Sequence, residues 1–283
     1  MPDPLVTVLL PVYNGGKYLE HSVQSILEQT YKDFEFLIIN DCSTDDSLER
    51  IKALHDRRIV VRSNEKNLGQ TKSLNIGLRL AKGKYIARMD TDDMAFPHWL
   101  EHQLNFIAKN PGYVVVSTRA AVIDSANRIT KILNSPLSPQ GIILKSLVAS
   151  PINHVGSLFR KDIILNERGY DENFKIAADY DLWSRLLRKG YGLASTDEVS
   201  VAIRFHEQSL SIIEKGRRDR QEMSRIMRDN INHLTQAAIS DEAVQLLWEL
   251  IYDSAHLSCD QFAEAITILQ SIYNKMKPHV EVA

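Results

Sequence analysis

Residues 5–12, Leu-Val-Thr-Val-Leu-Leu-Pro-Val, are apolar or β-branched almost throughout. An unbroken run of this kind predicts a strand covered on both faces, as in the parallel sheet of an α/β protein. Pro11, which has no N–H to give a ladder, is expected to fix where the strand stops. The pattern then repeats as a unit. Tyr13-Asn14-Gly15-Gly16 reads as a turn, and Tyr18, Leu19, Ser22, Ile26 and Leu27 recur at helical spacing. Residues 34–40 form a second strand running into Asp41, and Ser43 to Asp46 opens a helix at capping-box spacing. A third strand at residues 59–62 precedes Asn67-Leu68-Gly69 and a helix over about 71–82, closed by Gly83 as its C′ residue. This alternation predicts a doubly wound, mostly parallel, Rossmann-like sheet whose carboxyl edge gathers Tyr13, Asp41, Lys72 and Asp90 in one crevice.

The alternation loosens further on. A helix is expected over 97–108, strands at 114–116 and 120–123 with a hairpin partner at 129–133, and a helix over 139–149. A short strand at 155–159, a helical turn at 161–167, a helix over 179–188 ended by Gly190 and a last strand at 199–205 follow. From about residue 214 glycine nearly vanishes and apolar residues recur at helical spacing, which predicts a helical extension. The chain therefore divides into residues 1–210 and an extension, 211–283. Lys215, Arg217, Arg218, Arg220, Arg225 and Arg228 make a basic stripe, read either as a solvated face or as a peripheral membrane or partner surface. Trp248, Leu250, Ile251, Tyr252, Leu257 and Phe262 crowd one stretch, which suggests a homodimer through the extension or a helical cap on the monomer.

The chemistry concentrates after the fourth strand, where Tyr85-Ile86-Ala87-Arg88-Met89 ends in Asp90-Thr91-Asp92-Asp93. Three carboxylates within four positions repel unless a cation joins them, and a divalent ion such as Mg2+ or Mn2+ uses one or two carboxylates beside substrate phosphates. A solvated acidic turn or the cap of the following helix is the plainer reading of the same residues. Composition narrows the field. A net charge of −2 argues against nucleic acid as the main partner. Two distant cysteines, Cys42 and Cys259, read as reduced thiols of a cytosolic protein. No apolar run approaches a membrane span and no signal peptide is evident at residues 1–4, so a soluble, cytoplasmic protein that is not transmembrane is expected.

Five features in order, Pro11-Val12-Tyr13-Asn14, Asp41, Asn67-Leu68-Gly69, Asp90-Thr91-Asp92-Asp93 and Ala178-Asp179-Tyr180-Asp181-Leu182-Trp183-Ser184-Arg185, together resemble the family 2 glycosyltransferases of GT-A fold. The resemblance covers roughly residues 5–210 and leaves the C-terminal helices outside. It implies an inverting, metal-dependent hexosyltransferase using a nucleotide-sugar donor, most readily a UDP-sugar. A glycan or lipid-linked acceptor, polysaccharide synthesis and work at the inner membrane surface are implied with it. By the same resemblance Pro11, Val12, Tyr13, Asn14, Asp41, Asn67, Gly69, Lys72, Asp90 and Thr91 contact the donor, and Asp92 binds Mn2+ or Mg2+ with Asp93 supporting the loop. The catalytic base falls on Asp179, with Asp181 the rival two residues along. Many members carry Glu where this chain has Ala178. Arg185 reads as a partner for a carboxylate. His206 is a third metal ligand or a surface histidine, and His154 an acceptor or phosphate contact or a structural residue.

Rival enzyme classes lack their marks. A nucleotidyltransferase or dinucleotide-dependent oxidoreductase needs a glycine-rich phosphate loop after the first strand, where only Gly15-Gly16 stands, and no P-loop is present. A catalytically silent sugar-nucleotide-binding or scaffold protein is the non-enzyme alternative.

Overall fold

The structure, a computed structural model, describes residues 3–205 and 217–280. Its sheet starts as expected. Strands β1 (Val6–Val12), β2 (Phe34–Asn40), β3 (Ile59–Ser63) and β4 (Tyr85–Arg88) pair in parallel in the order β3-β2-β1-β4. Every residue of β1 and β2 is buried, as a strand between two helical layers must be. Pro11 lies inside the ladder opposite Ile39 rather than ending it. The Leu9 carbonyl accepts from the Met89 N–H, and Pro11, two residues on, turns its nitrogen the same way. β4 has already ended opposite Leu9, so the missing N–H leaves no ladder bond unmade.

Helices α1 (Leu19–Leu27) and α4 (Trp99–Lys109) cover one face of the sheet, where Leu19, Val23, Ile26, Trp99 and Leu100 pack on Val8, Leu10 and Phe36. On the opposite face Leu74 and Leu78 of α3 (Gln70–Leu80) and Trp183 and Leu186 of α7 (Ala178–Arg188) pack on Leu9, Leu37 and Phe159. The second half of the sheet is mixed. β8 (Leu158–Arg160) runs antiparallel between β4 and β6 (Tyr113–Ile123), and β9 (Gly192–Arg204) runs parallel to β6. The two-residue β5 (Met94–Ala95) and the hairpin strand β7 (Ile129–Leu133) complete it. The short helices α2 (Ser47–Lys52), α5 (Pro139–Ser146) and α6 (Lys161–Asn166) fill the connections.

Several sequence expectations are corrected. Residues 113–123 are one strand, because Ser117 and Thr118, which read as a break, are fully buried and satisfied: their hydroxyls donate to the Asn153 and Glu198 carbonyls. The last strand begins at Gly192, seven residues before the expected start at 199. β8 starts at Leu158 rather than 155, since Gly156 adopts φ +77° and its carbonyl accepts from the Trp99 indole at 2.9 Å. No capping box forms at Ser43: α2 begins at Ser47, and the Ser43 hydroxyl accepts from the Asn14 N–H instead. Gly83 is not a left-handed C′ residue. It presses on β1, where an added Cβ would lie 2.4 Å from the Thr7 nitrogen.

The C-terminal helices are α8 (Arg217–Thr235), α9 (Asp241–Tyr252) and α10 (Cys259–Val280). Ile226, Met227, Ile231, Val244, Leu247, Ile272 and Met276 join the same apolar core as Trp183 and Leu186. Of the basic stripe, Arg220 pairs with Glu249 and Arg228 with Asp241, and Arg225 stacks over the Phe174 ring. These three arginines thus face neighbouring elements of the chain. Among the described residues no helix is long and apolar enough to cross a membrane.

Candidate active site

The loops after β1, β2 and β4 meet at the carboxyl edge of the sheet. Asp41 is 3% exposed and its carboxylate is committed to the loop that precedes α3. Oδ1 accepts from Asn64 Nδ2 at 2.7 Å and the Leu68 N–H at 2.9 Å, and Oδ2 accepts from the Gly69 N–H at 2.8 Å. Gly69, at φ +87°, supplies the backbone conformation this turn requires. Val12 is fully buried and its carbonyl accepts from the Asp41 N–H, which ties the first two loops together. Pro11 is buried as well. Asn14, in the left-handed region at φ +49°, braces the same pair of loops: Oδ1 accepts from the Thr44 N–H at 2.8 Å and Nδ2 donates to its hydroxyl. Tyr13 stands half-exposed at the rim, and Asn67 and Lys72 are exposed.

Arg88 closes β4 with a charge buried to 2% exposure. Its guanidinium donates to both oxygens of Asp90, at 2.6 and 2.5 Å, the bidentate geometry for which arginine is suited. Burial works against the Arg88 charge, but Asp90, Tyr170 and Asp93 together outweigh it and raise its pKa. Gln70, in the first turn of α3, donates a further 3.0 Å bond to Asp90 Oδ1. Asp93 is buried and accepts from the Arg204 N–H at 2.8 Å, while Thr91 and Asp92 are half-buried. Burial pushes the Asp93 carboxyl well above the usual carboxylate range, and Asp92 and Asp90 add to the effect.

Oxygen atoms of Asp90, Asp92 and Asp93 lie within 4.8 Å of one another. An all-carboxylate set of this size fits a hard divalent cation, Mg2+ or Mn2+, which takes one or two protein ligands and completes its shell with water and phosphate oxygens. Asp90 is already engaged at both oxygens and Asp93 by Arg204. Asp90 and Asp92 are both half-buried, and Asp93 is buried. His206, the proposed third ligand, lies outside the described residues.

Across the crevice, Asp179 occupies the first turn of α7, half-buried. Burial raises its pKa, and a bond from the Ser150 hydroxyl to Oδ2 at 3.1 Å opposes the rise. The Asp179 charge in turn reaches Asp90, so the two carboxylates share one electrostatic environment. Asp181, the rival base, points elsewhere. It is 6% exposed and bound at 2.7 Å to Arg185, whose other nitrogens donate to the Glu167 and Gly169 carbonyls. Arg185 thus pairs with a carboxylate of its own helix and braces the 167–169 turn. His154 meets the Tyr170 hydroxyl at 2.7 Å and packs edge-on against Tyr170 and Trp183, with its pKa driven well below the ordinary value by burial and then by Arg88. It is a neutral histidine set in the wall of the site.

Sequence reasoning missed Arg88, Gln70, Asn64, Ser150 and Tyr170. Arg88 carried a signal, a lone charge inside an apolar strand two residues before the first of the acids. The others carried none that distinguishes them from ordinary polar surface.

Comparison with known proteins follows the same lines. The family model described as Glycosyl transferase family 2 matches residues 7–167. A relative from Haemophilus influenzae, named as an uncharacterized glycosyltransferase, is 29% identical over 306 residues, covering 99% of this chain and 92% of its own. The amylovoran biosynthesis glycosyltransferase AmsE of Erwinia amylovora is 30% identical over 204 residues, 71% of this chain and 76% of its own. Among solved structures, S. aureus TarS in complex with UDP-GlcNAc superposes with a TM-score of 0.64 at 17% identity, covering 100% of this chain and 83% of that one. The mannosyltransferase PcManGT of Pyrobaculum calidifontis, in complex with GDP-Man and Mn2+, gives 0.63 at 17% identity over 96% of this chain and 76% of that one. At such identities the two structures speak for the fold.

Proposed function

The chain belongs to glycosyl transferase family 2 and has its GT-A fold, and from that premise we propose that it is an inverting hexosyltransferase acting on a nucleotide diphosphate sugar, a UDP-sugar first among them. The acceptor we propose is a hydroxyl of a growing or lipid-linked glycan at the cytoplasmic membrane surface, in polysaccharide or glycoconjugate synthesis. The name of AmsE, which ties that relative to amylovoran, supports this choice. The observation that carries the reading is the pairing across one crevice of a half-buried Asp179, its pKa raised, with the Asp90-Asp92-Asp93 cluster.

In this reading Asp179 takes the proton of the acceptor hydroxyl as its oxygen attacks the anomeric carbon from the side opposite the diphosphate. The carbon–oxygen bond to phosphate breaks, the nucleoside diphosphate leaves with the electron pair, and the new bond has inverted configuration. A raised pKa suits a base that must hold a proton and still be ionised near neutral pH. Asp92, beside Asp90 and Asp93, would hold a divalent cation, which when bound would supply Lewis-acid charge for a departing diphosphate. Arg88 fixes Asp90, and the Asp41 loop with Tyr13 shapes the nucleoside end.

Turnover of a panel of UDP- and GDP-hexoses, read as release of UDP or GDP, tests the activity, and the anomeric configuration of the product tests inversion. Asp179→Asn is expected to lose about 100-fold or more in turnover with nucleotide affinity unchanged, and Asp92→Asn to lose Mn2+-dependent nucleotide binding. Donor binding without turnover across the panel would leave only a silent sugar-nucleotide-binding protein, and a retained configuration would sink the inverting mechanism.

A further inference from the structure

Helix α7 begins without a cap of its own. Its N-cap residue is Ala177, which has no side-chain acceptor, and Ala178 follows. The amides ahead of it are nevertheless satisfied, from an unexpected direction. Glu222, on α8 of the C-terminal extension, accepts from the Lys175 N–H through Oε1 at 2.9 Å and from the Ile176 and Ala177 N–H groups through Oε2 at 3.0 and 2.9 Å. Three consecutive backbone donors thus converge on one carboxylate at the positive end of the α7 dipole. Such bonds to an ionised acceptor are roughly twice as strong as neutral ones.

The same helix grips α7 further along. Asn230, 2% exposed, donates to the Ser184 hydroxyl at 2.8 Å and the Ser146 carbonyl at 2.6 Å, and its Oδ1 accepts from Arg188 at 2.5 Å. Ser146 ends α5, four residues before Ser150, the hydroxyl that meets Asp179. α8 therefore holds both the helix that carries Asp179 and the segment that supplies its hydrogen bond.

We propose that Glu222 is a positioning residue for sugar transfer: it fixes the first turn of α7 and thereby the direction in which Asp179 faces the crevice. This rests on Asp179 being the base. With Glu222 in place the amides at 175–177 are satisfied. Without it, Asp179, two residues past Ala177, is the acid of that turn left to meet those amides, because Asp181, the other acid there, is bound to Arg185. A carboxylate drawn toward backbone amides is withdrawn from an acceptor hydroxyl.

The test uses the full chain with Glu222→Ala and Glu222→Gln, and Arg228→Ala as a control that loosens α8 from α9 at an exposed ion pair. Turnover of the active UDP- or GDP-hexose, affinity for UDP with Mn2+, thermal midpoint and amide hydrogen exchange at residues 175–177 are measured. Glu222→Ala is expected to lower turnover by about 10- to 100-fold with UDP affinity within about twofold of wild type and faster exchange at 175–177. Glu222→Gln, which keeps one acceptor oxygen, should fall between. Wild-type turnover in Glu222→Ala, or an equal loss in Arg228→Ala at the same thermal midpoint, overturns the proposal. A full-rate Asp179→Asn removes the base reading and this role with it, whereas a crippled Asp179→Asn beside a full-rate Glu222→Ala removes the positioning role alone.

Discussion

Asp90 and Asp179 show how differently this fold treats two carboxylates of one crevice. Asp90 is held at both oxygens by Arg88 and again by Gln70, so its orientation is fixed before any ligand arrives. Asp179 is bound only lightly by side chains, through the Ser150 hydroxyl, which also lies 3.1 Å from the Ile152 carbonyl and has one proton to share. That difference predicts a pH profile. Burial raises the Asp179 pKa, so the acid limb of turnover should lie above the ordinary aspartate value near 4. A base is active when deprotonated; the rate therefore falls as pH drops through the raised pKa. Because the Ser150 bond lowers that pKa, Ser150→Ala should move the limb to higher pH while leaving the alkaline plateau within a few-fold. Turnover measured from about pH 4 to 9 checks it, and a limb that stays put in the variant would show that Ser150 does not tune Asp179.

Between the elements, the contact that most limits substitution is the one between Gly83 and β1. The chain leaves α3 and crosses directly over the Thr7 backbone, where a methyl group would stand 2.4 Å from a backbone nitrogen and 2.6 Å from the Val6 carbonyl carbon. Neither atom can swing aside as a side chain does. Gly83→Ala should thus destabilise the protein by about 1–3 kcal/mol or more, seen as a lower urea midpoint with unchanged m-value. A midpoint within error of wild type would mean that β1 and the 81–84 turn separate freely. The same glycine marks what was legible in the sequence. Its place beside a helix end was read correctly and its reason was not, because a close approach between distant segments leaves no local pattern. The parallel strands β1 to β4 were legible throughout, since each is a short apolar run between turn residues. β6 was read as two fragments and β9 only in its second half, since their buried Ser117, Thr118, Ser195 and Thr196 look like loop chemistry until their neighbours are in place. In the site, acids at strand and helix ends could be read from their positions. The residues that aim them, Arg88, Gln70 and Ser150, depend on contacts that only folding creates.

At the scale of the whole molecule the open question is whether residues 211–283 are an appendage or part of the catalytic body. The proposed division at residue 210 follows the reach of the sequence motifs, but packing runs across it. Asn230, Glu222 and the Tyr252 hydroxyl, which donates to the Val148 carbonyl at 2.6 Å, all bond to residues before 210. Ile226, Met227, Ile231 and Leu247 belong to the core built around Trp183 and Leu186. Ile251, Tyr252, Phe262, Ile266 and Tyr273 remain 36–58% exposed on α9 and α10, and light scattering of the full chain reads whether that face pairs two copies. Truncation after residue 213 tests the internal packing separately. Each buried side chain such as Ile226 or Leu247 contributes about 1.5–3 kcal/mol, so a handful lost from one core approaches the 5–15 kcal/mol that stabilises a typical domain. The full chain should unfold in one cooperative thermal transition. The truncated chain should be insoluble, or bind a hydrophobic dye without a cooperative transition, because the outer side of α7 is then uncovered. A truncated protein that unfolds cooperatively near the full-length midpoint would make the extension a separate domain, and would place the bonds from Glu222 and Asn230 at an interface the catalytic body does not need for folding.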